Sequence, residues 1–130
     1  MGPFTILLVE DDFDVREALV ETLEEEGYRV DCVCDGSQAL EYLRDGGRPG
    51  LILLDLMMPI MNGSEFRMAQ KRDPAWRHLP VVLLSADGKM DEKARALEVN
   101  GAIKKPIDLE ELINVIERFR PSAASSPTID

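Results

Sequence analysis

Five times along this chain a short run of apolar residues gives way to a longer stretch whose apolar positions recur every three or four residues. That alternation narrows the available folds more than any other feature, because it is the pattern of a parallel sheet buried on both faces by helices. Thr5-Ile6-Leu7-Leu8-Val9 reads as the first strand, and Val15, Ala18, Leu19, Thr22 and Leu23 then keep helical spacing until Gly27 closes the helix. Residues 29–33 form a second strand, followed by a helix that carries Ala39, Leu40 and Leu43 and stops at Asp45-Gly46-Gly47. The most apolar run, 51–54, is expected at the centre of the sheet. A loop leads from it into a helix that holds Phe66 and Ala69, with Ser64 as its candidate cap and Asp73-Pro74 as its stop. Pro80 opens a fourth strand over 81–84, a helix over 90–99 turns Ala94 and Leu97 to the core, and 102–104 is a brief fifth strand. Asp108 with Glu111 three residues on resembles a capping box. Leu109, Leu112, Ile113, Ile116 and Phe119 give the last helix its buried stripe. The expected fold is α/β: a five-stranded parallel sheet, doubly wound, with five helices.

A chain of 130 residues makes one domain, and at this size roughly two-thirds of the unfolded chain's surface is buried, enough for a core without metal or disulfide staples. With 25 Asp and Glu against 15 Lys and Arg the net charge is −10, which repels phosphate backbones and anionic membranes. Direct binding of nucleic acid or lipid is therefore not expected, and a bound cation is the natural ligand. Cys32 and Cys34, two apart on one strand, suit neither a disulfide nor a metal site with the distant His78, and are read as small buried packing residues. Met1-Gly2-Pro3-Phe4 carries no basic segment of a secretory signal and the apolar runs are too short to span a bilayer, so the expected compartment is the cytoplasm. Residues 121–130, rich in Pro, Ser and Ala, are expected to be a disordered tail or linker after a domain over 1–120.

In a sheet of this kind ligands bind beyond the carboxyl ends of the strands. There the chain places Glu10-Asp11-Asp12 after the first strand, Asp55 after the third, Ser85 after the fourth and Lys105 after the fifth. Converging carboxylates raise one another's pKa, and a hard divalent cation with oxygen ligands, Mg2+ by preference, resolves the repulsion. A cation flanked by an ammonium and a hydroxyl describes a seat for a phosphoryl group that a carboxylate attacks in line. No phosphate-binding loop competes: Gly88-Lys89 would need glycine at position 83, where Leu83 stands.

Leu8-Val9-Glu10-Asp11-Asp12, Asp55-Leu56-Met57-Met58-Pro59-Ile60-Met61-Asn62-Gly63, Leu84-Ser85-Ala86 and Lys104-Lys105-Pro106-Ile107-Asp108 closely resemble the receiver domain of bacterial two-component response regulators, over residues 4–119. The resemblance implies a flavodoxin-like, CheY-like sheet of strand order 2-1-3-4-5. It implies that Asp55 accepts a phosphoryl group from the phosphohistidine of a sensor histidine kinase or phosphotransfer protein, and that a downstream protein or output domain responds. Asp11 would ligate Mg2+ directly and Glu10 hold a metal-bound water. Asp55 itself and the backbone carbonyl of Met57 would complete the metal's protein ligands. Ser85 would be the switch hydroxyl and Lys105 the phosphate-pairing lysine, aimed inward by a cis Lys105-Pro106 bond. Asp12 and Lys104 would face solvent. Pro59 and Gly63 would shape the loop, the glycine through a positive φ.

The departure is Ala102, where the family usually carries Tyr or Phe; switching is then expected to run through displacement of the loop after the fourth strand rather than an aromatic rotamer. Asn62 for the more frequent Asp costs the loop one charge. Two alternatives stand beside this reading. A haloacid dehalogenase-type phosphatase would use Asp12-Phe13-Asp14 as its aspartyl pair, but Arg16 stands where Thr or Val belongs and there is no cap domain. A degenerate receiver, binding partners without phosphorylation, fits poorly with a complete set of acceptor, acids, hydroxyl and lysine. Trp76 reads as a loop anchor, Met57, Met58 and Met61 as loop and core residues, and His78 as without a catalytic role.

Overall fold

The computed structural model describes residues 4–121. Its elements alternate as β1 (Thr5–Val9), α1 (Phe13–Glu25), β2 (Arg29–Val33), α2 (Gly36–Arg44), β3 (Leu51–Asp55), α3 (Gly63–Arg72), β4 (Val81–Ser85), α4 (Met90–Leu97), β5 (Gly101–Lys104) and α5 (Leu109–Phe119). All strand pairs are parallel and the order is β2-β1-β3-β4-β5, so the most apolar strand lies at the centre. The expected tail over 121–130 falls, but for Pro121, outside the described residues.

Period-two alternation sends successive strand residues to opposite faces. Ile6, Leu8, Leu51, Leu53, Val82, Leu84 and Ile103 meet Leu19 and Leu23 of α1 and Leu112, Val115 and Ile116 of α5. Leu7, Val9, Ile52, Leu54, Val81 and Leu83 meet Ala39, Leu40 and Leu43 of α2 and Phe66 of α3, with Ala94 and Leu97 of α4 packed at the margin. Each fully buried aliphatic or aromatic side chain contributes about 1.5–3 kcal/mol. Trp76 and Leu79 close the second layer beneath the α3–β4 connection, which makes Trp76 the loop anchor expected of it. The far end of α5 is tied to the sheet by Tyr28, whose hydroxyl donates to Glu117 and whose ring is crossed by the Arg120 guanidinium 5.5 Å from its centroid.

Four expectations are corrected. Cys32 is exposed, because β2 is an edge strand and little covers its outer residues, and Cys34 lies one residue beyond β2 and is half-buried. Leu109 is exposed, whereas Val115 joins the buried stripe of α5. The cap of α3 is Asn62, not Ser64. The Asn62 side chain accepts from the Glu65 N–H at 2.9 Å and the Glu65 carboxylate accepts from the Asn62 N–H at 3.0 Å, a full capping box that the Asn-x-x-Glu spacing foreshadows. Asp12, Asp35 and Asp108 cap α1, α2 and α5 with one such bond each.

The fourth correction concerns the loop after β3. Gly63 does not have a positive φ; a Cβ there would lie 2.5 Å from the Asp55 carbonyl oxygen and 2.9 Å from Leu56 Cα, so glycine is required by close approach of backbone to backbone. The positive φ falls on Ile60, at +65°, a β-branched residue that is 83% exposed. This conformation costs an L-residue roughly 1–2 kcal/mol, and the exposed side chain recovers little by burial. Ile60→Asn, which tolerates this region, is expected to raise stability by about 1 kcal/mol in urea unfolding; an unchanged or lower stability would show the loop to be unstrained.

Candidate functional site

The parallel register brings four strand ends to one edge. Glu10 follows β1 and is fully buried, Asp55 ends β3 and is buried, Ser85 ends β4 and is buried, and Lys105 follows β5, partly exposed. Asp11 is exposed. Glu10, Asp11, Asp12, Asp55, Met57, Ala86, Asp87 and Lys105 line one open cleft of about 390 Å³. The Lys105 ammonium donates to Glu10 Oε1 at 2.8 Å and stands 3.6 Å from Asp55 Oδ2. Glu10 Oε2 also accepts from the Asp12 N–H at 3.2 Å, and Asp55 Oδ1 accepts from the Met57 N–H at 3.2 Å. The Lys105-Pro106 bond is cis.

Burial, then the neighbouring Glu10 carboxylate, pushes the Asp55 carboxyl up to about 7, against the pull of Lys105 and the Met57 N–H. Burial also acts against the charge on Lys105, but the Glu10 and Asp55 carboxylates outweigh it and hold the ammonium above its ordinary value. One lysine therefore serves two buried carboxylates, leaving the cleft short of positive charge. One oxygen from each of Glu10, Asp11 and Asp55 lies within 4.8 Å of the others. With metal–oxygen distances of about 2.0–2.6 Å that spacing fits a single hard cation. The Asp11 carboxylate has no hydrogen-bond partner among the described residues, which suits it to ligate.

The fold thus brings together Glu10, Asp11, Asp55, Met57 and Lys105. Ser85 is adjacent, but it does not line the cleft: its Oγ accepts from the Asp87 N–H at 3.0 Å beneath the β4–α4 turn. A hydroxyl that accepts there still has its own proton to donate. Asp12 is spent on capping α1, and Lys104 is exposed. Two contributors were not singled out from the sequence. Asp87 lines the cleft, accepts from the Lys89 N–H at 2.7 Å and pairs with Lys93 of α4 at 2.5 Å, and the Lys93 bond holds its carboxyl below the ordinary value. Asp87-Gly88 is a turn signal that pointed to it. Arg16, six residues after Glu10, donates to its carbonyl at 2.9 Å; nothing in its spacing pointed there.

A parallel sheet of this order carrying an acidic, lysine-flanked cleft at its carboxyl edge defines a class of phosphoryl-responsive signalling domain. The family model for the response regulator receiver domain matches residues 6–117, and the chain belongs to that family. It is 36% identical over 127 residues to the probable methanogenesis regulatory protein FilR2 of Methanothrix harundinacea, covering 91% of this chain and 82% of the relative. It is 34% identical over 130 residues to the phosphate regulon transcriptional regulatory protein PhoB of Pseudomonas aeruginosa, covering 95% of this chain and 56% of that protein. The chain spans about half the length of most of the curated relatives it matches. Among solved structures, the receiver domain of a sensor histidine kinase from Pseudomonas aeruginosa PAO1, with a magnesium ion coordinated in its active-site cleft, superposes with a TM-score of 0.78 at 30% identity, covering 91% of this chain and 98% of that one. The family's role is signalling rather than turnover of a separate substrate, and neither the phosphatase nor the degenerate-receiver alternative is favoured.

Proposed function

We propose that Asp55 is the phospho-acceptor of this receiver. An Asp55 carboxylate oxygen attacks the phosphorus of a phosphohistidine protonated on its other ring nitrogen, the P–N bond breaks, its electron pair leaves with the now neutral imidazole, which keeps that proton, and an aspartyl phosphate remains. The observation that carries the reading is that the buried Asp55 carboxylate stands 3.6 Å from the Lys105 ammonium and groups with the Glu10 and Asp11 carboxylates within reach of one cation. Glu10, Asp11, Asp55 and the Met57 carbonyl would hold Mg2+, Glu10 through a water. When bound, the cation would neutralise charge on the carboxylates and the transferring group. Lys105 pairs with a phosphoryl oxygen and Ser85 donates to another. Slow hydrolysis resets the domain.

The donor is a sensor histidine kinase or phosphotransfer protein, approaching over an apolar trough of about 480 Å³ that shares Ala86 and Lys105 with the cleft and is otherwise lined by Val15, Ala18, Leu19, Pro106 and Ile107. A downstream protein or output domain reads the result. Ala102 offers no ring to follow Ser85, and the bonds from Ser85 through Asp87 to Lys93 give the site another connection to α4. The receiver unit runs to residue 120, and residues 121–130 serve as tail or linker. No helix among the described residues is long and apolar enough to cross a membrane, and the proposed compartment is the cytoplasm. The net charge of −10 argues against nucleic-acid or membrane contact by this unit.

Incubation with Mg2+ and acetyl phosphate is expected to add one phosphoryl mass to the intact protein, labile to hydroxylamine. Asp55→Asn is expected to abolish it and Lys105→Ala to reduce it. Full labelling of Asp55→Asn would move the acceptor elsewhere, and steady turnover of phosphate esters would revive the phosphatase.

A further inference from the structure

Three of the four acids after β1 and β3 have fixed carboxylates. Glu10 is held by Lys105 and the Asp12 N–H, Asp12 by capping Val15, and Asp55 by the Met57 N–H and Lys105. Asp11 is different: its exposed carboxylate has no partner among the described residues, so its position depends on the backbone turn between β1 and α1. Besides the Asp12 N–H bond to Glu10 and the Glu10 N–H bond to the Val33 carbonyl, one side chain among the described residues reaches the carbonyls of that turn. Arg16 Nη1 donates to the Glu10 carbonyl at 2.9 Å and stands 3.5 Å from the Asp11 carbonyl. The guanidinium lies 5.4 Å from the Phe13 ring centroid, which limits the directions it can take.

We propose that Arg16 is a positioning residue for the divalent cation, clasping the Glu10–Asp11 turn so that the Asp11 carboxylate is presented to the cleft. The inference rests on the reading that the cation sits among Glu10, Asp11 and Asp55. Arg16 touches neither cation nor phosphoryl group; it acts through the main chain. Its positive charge alone would oppose a cation nearby, so the two roles predict opposite signs. Neutralising Arg16 strengthens cation binding if only its charge matters and weakens it if the clasp matters.

The test is Mg2+ titration of the unphosphorylated protein, followed by amide NMR shifts, for wild type, Arg16→Gln, Arg16→Lys and Asp11→Asn, with melting temperatures in EDTA as a control on folding. Arg16→Gln is expected to bind Mg2+ about tenfold more weakly, in the range for groups that orient metal ligands. Arg16→Lys, which keeps the charge and one donor, is expected to fall between it and wild type. Equal or tighter binding by Arg16→Gln would overturn the clasp. Should Arg16→Gln melt too low to titrate, Arg16→Lys decides: weaker binding than wild type supports the clasp, and wild-type binding overturns it. No saturable Mg2+ response in wild type, or an undiminished one in Asp11→Asn, would instead overturn the cation site itself and the clasp with it.

Discussion

In EDTA, raising the pH from 5 to 8 is expected to lower the unfolding free energy by about 3 kcal/mol through Asp55 alone. The folded carboxyl titrates near 7, whereas in the unfolded chain it ionises near its ordinary value of 3.8. Between those values the folded protein keeps a proton that the unfolded chain has released. The stabilisation is therefore complete below about pH 4, falls as pH rises, and is lost once pH passes the folded value. The cause is local: burial and the Glu10 carboxylate disfavour the anion, and Lys105 compensates only in part. A cation bound among Glu10, Asp11 and Asp55, as proposed, would supply the missing charge, so millimolar Mg2+ should flatten the profile and stabilise more at pH 8 than at pH 5. Urea unfolding at four pH values, with EDTA or Mg2+, for wild type and Asp55→Asn reads this directly. Parallel wild-type and Asp55→Asn profiles in EDTA would mean that Asp55 is ionised throughout and the site is not short of positive charge.

The strand ends that build this site were legible because they depend on local alternation. Asp55 closes the most apolar run of the chain, and a run buried on both faces has to lie inside the sheet, which fixes where its last residue points. Asp108 announced its helix by equally local logic, and Asp12 and the pair Asn62 with Glu65 carried signals as clear that were not taken up. What escaped depends on residues distant in sequence. Gly63 is required because the Asp55 carbonyl lies beside it, and that approach exists only once α3 has packed back on β3. The exposure of Cys32 follows from its strand being at an edge, which strand order decides and composition does not. Arg16 acts on carbonyl groups, which every residue possesses, so no residue type in the turn could announce it. The polarity of α3 misleads outright: Met68 is exposed, while Arg67 and Gln70 are buried beside Phe66.

Loss of Arg67, a polar residue in the middle of a helix, should weaken the fold as much as loss of a core side chain. Only 4% exposed, its guanidinium donates to the Leu97 carbonyl at 3.0 Å, the Glu98 carbonyl at 2.6 Å and Gln70 Oε1 at 2.9 Å. Gln70 in turn donates to the carbonyls of Trp76 and Leu79. Burial pulls the guanidinium below its ordinary value. Its main-chain partners are the last carbonyls of α4, where the negative end of the helix dipole favours a cation. That helix is otherwise lightly held: Met90 is its one buried residue, Ala94 and Leu97 pack only at the margin of the core, Lys93 pairs with Asp87 in the preceding turn, and its first turn has no side-chain cap. Arg67→Ala opens a cavity and leaves the buried Gln70 Oε1 and the part-buried Leu97 and Glu98 carbonyls without this donor, at a cost of about 3 kcal/mol. Arg67→Met fills the space but leaves the acceptors bare, so it should cost nearly as much. Adding Gln70→Leu to Arg67→Met removes one of those acceptors but frees the Trp76 and Leu79 carbonyls, so the pair should be non-additive. Hydrogen exchange gives the local readout: in Arg67→Met the amides over 94–98 should exchange faster by more than the global loss of stability accounts for. A stability loss below about 1 kcal/mol in Arg67→Met, with α4 exchange unchanged, would show that packing alone seats the helix.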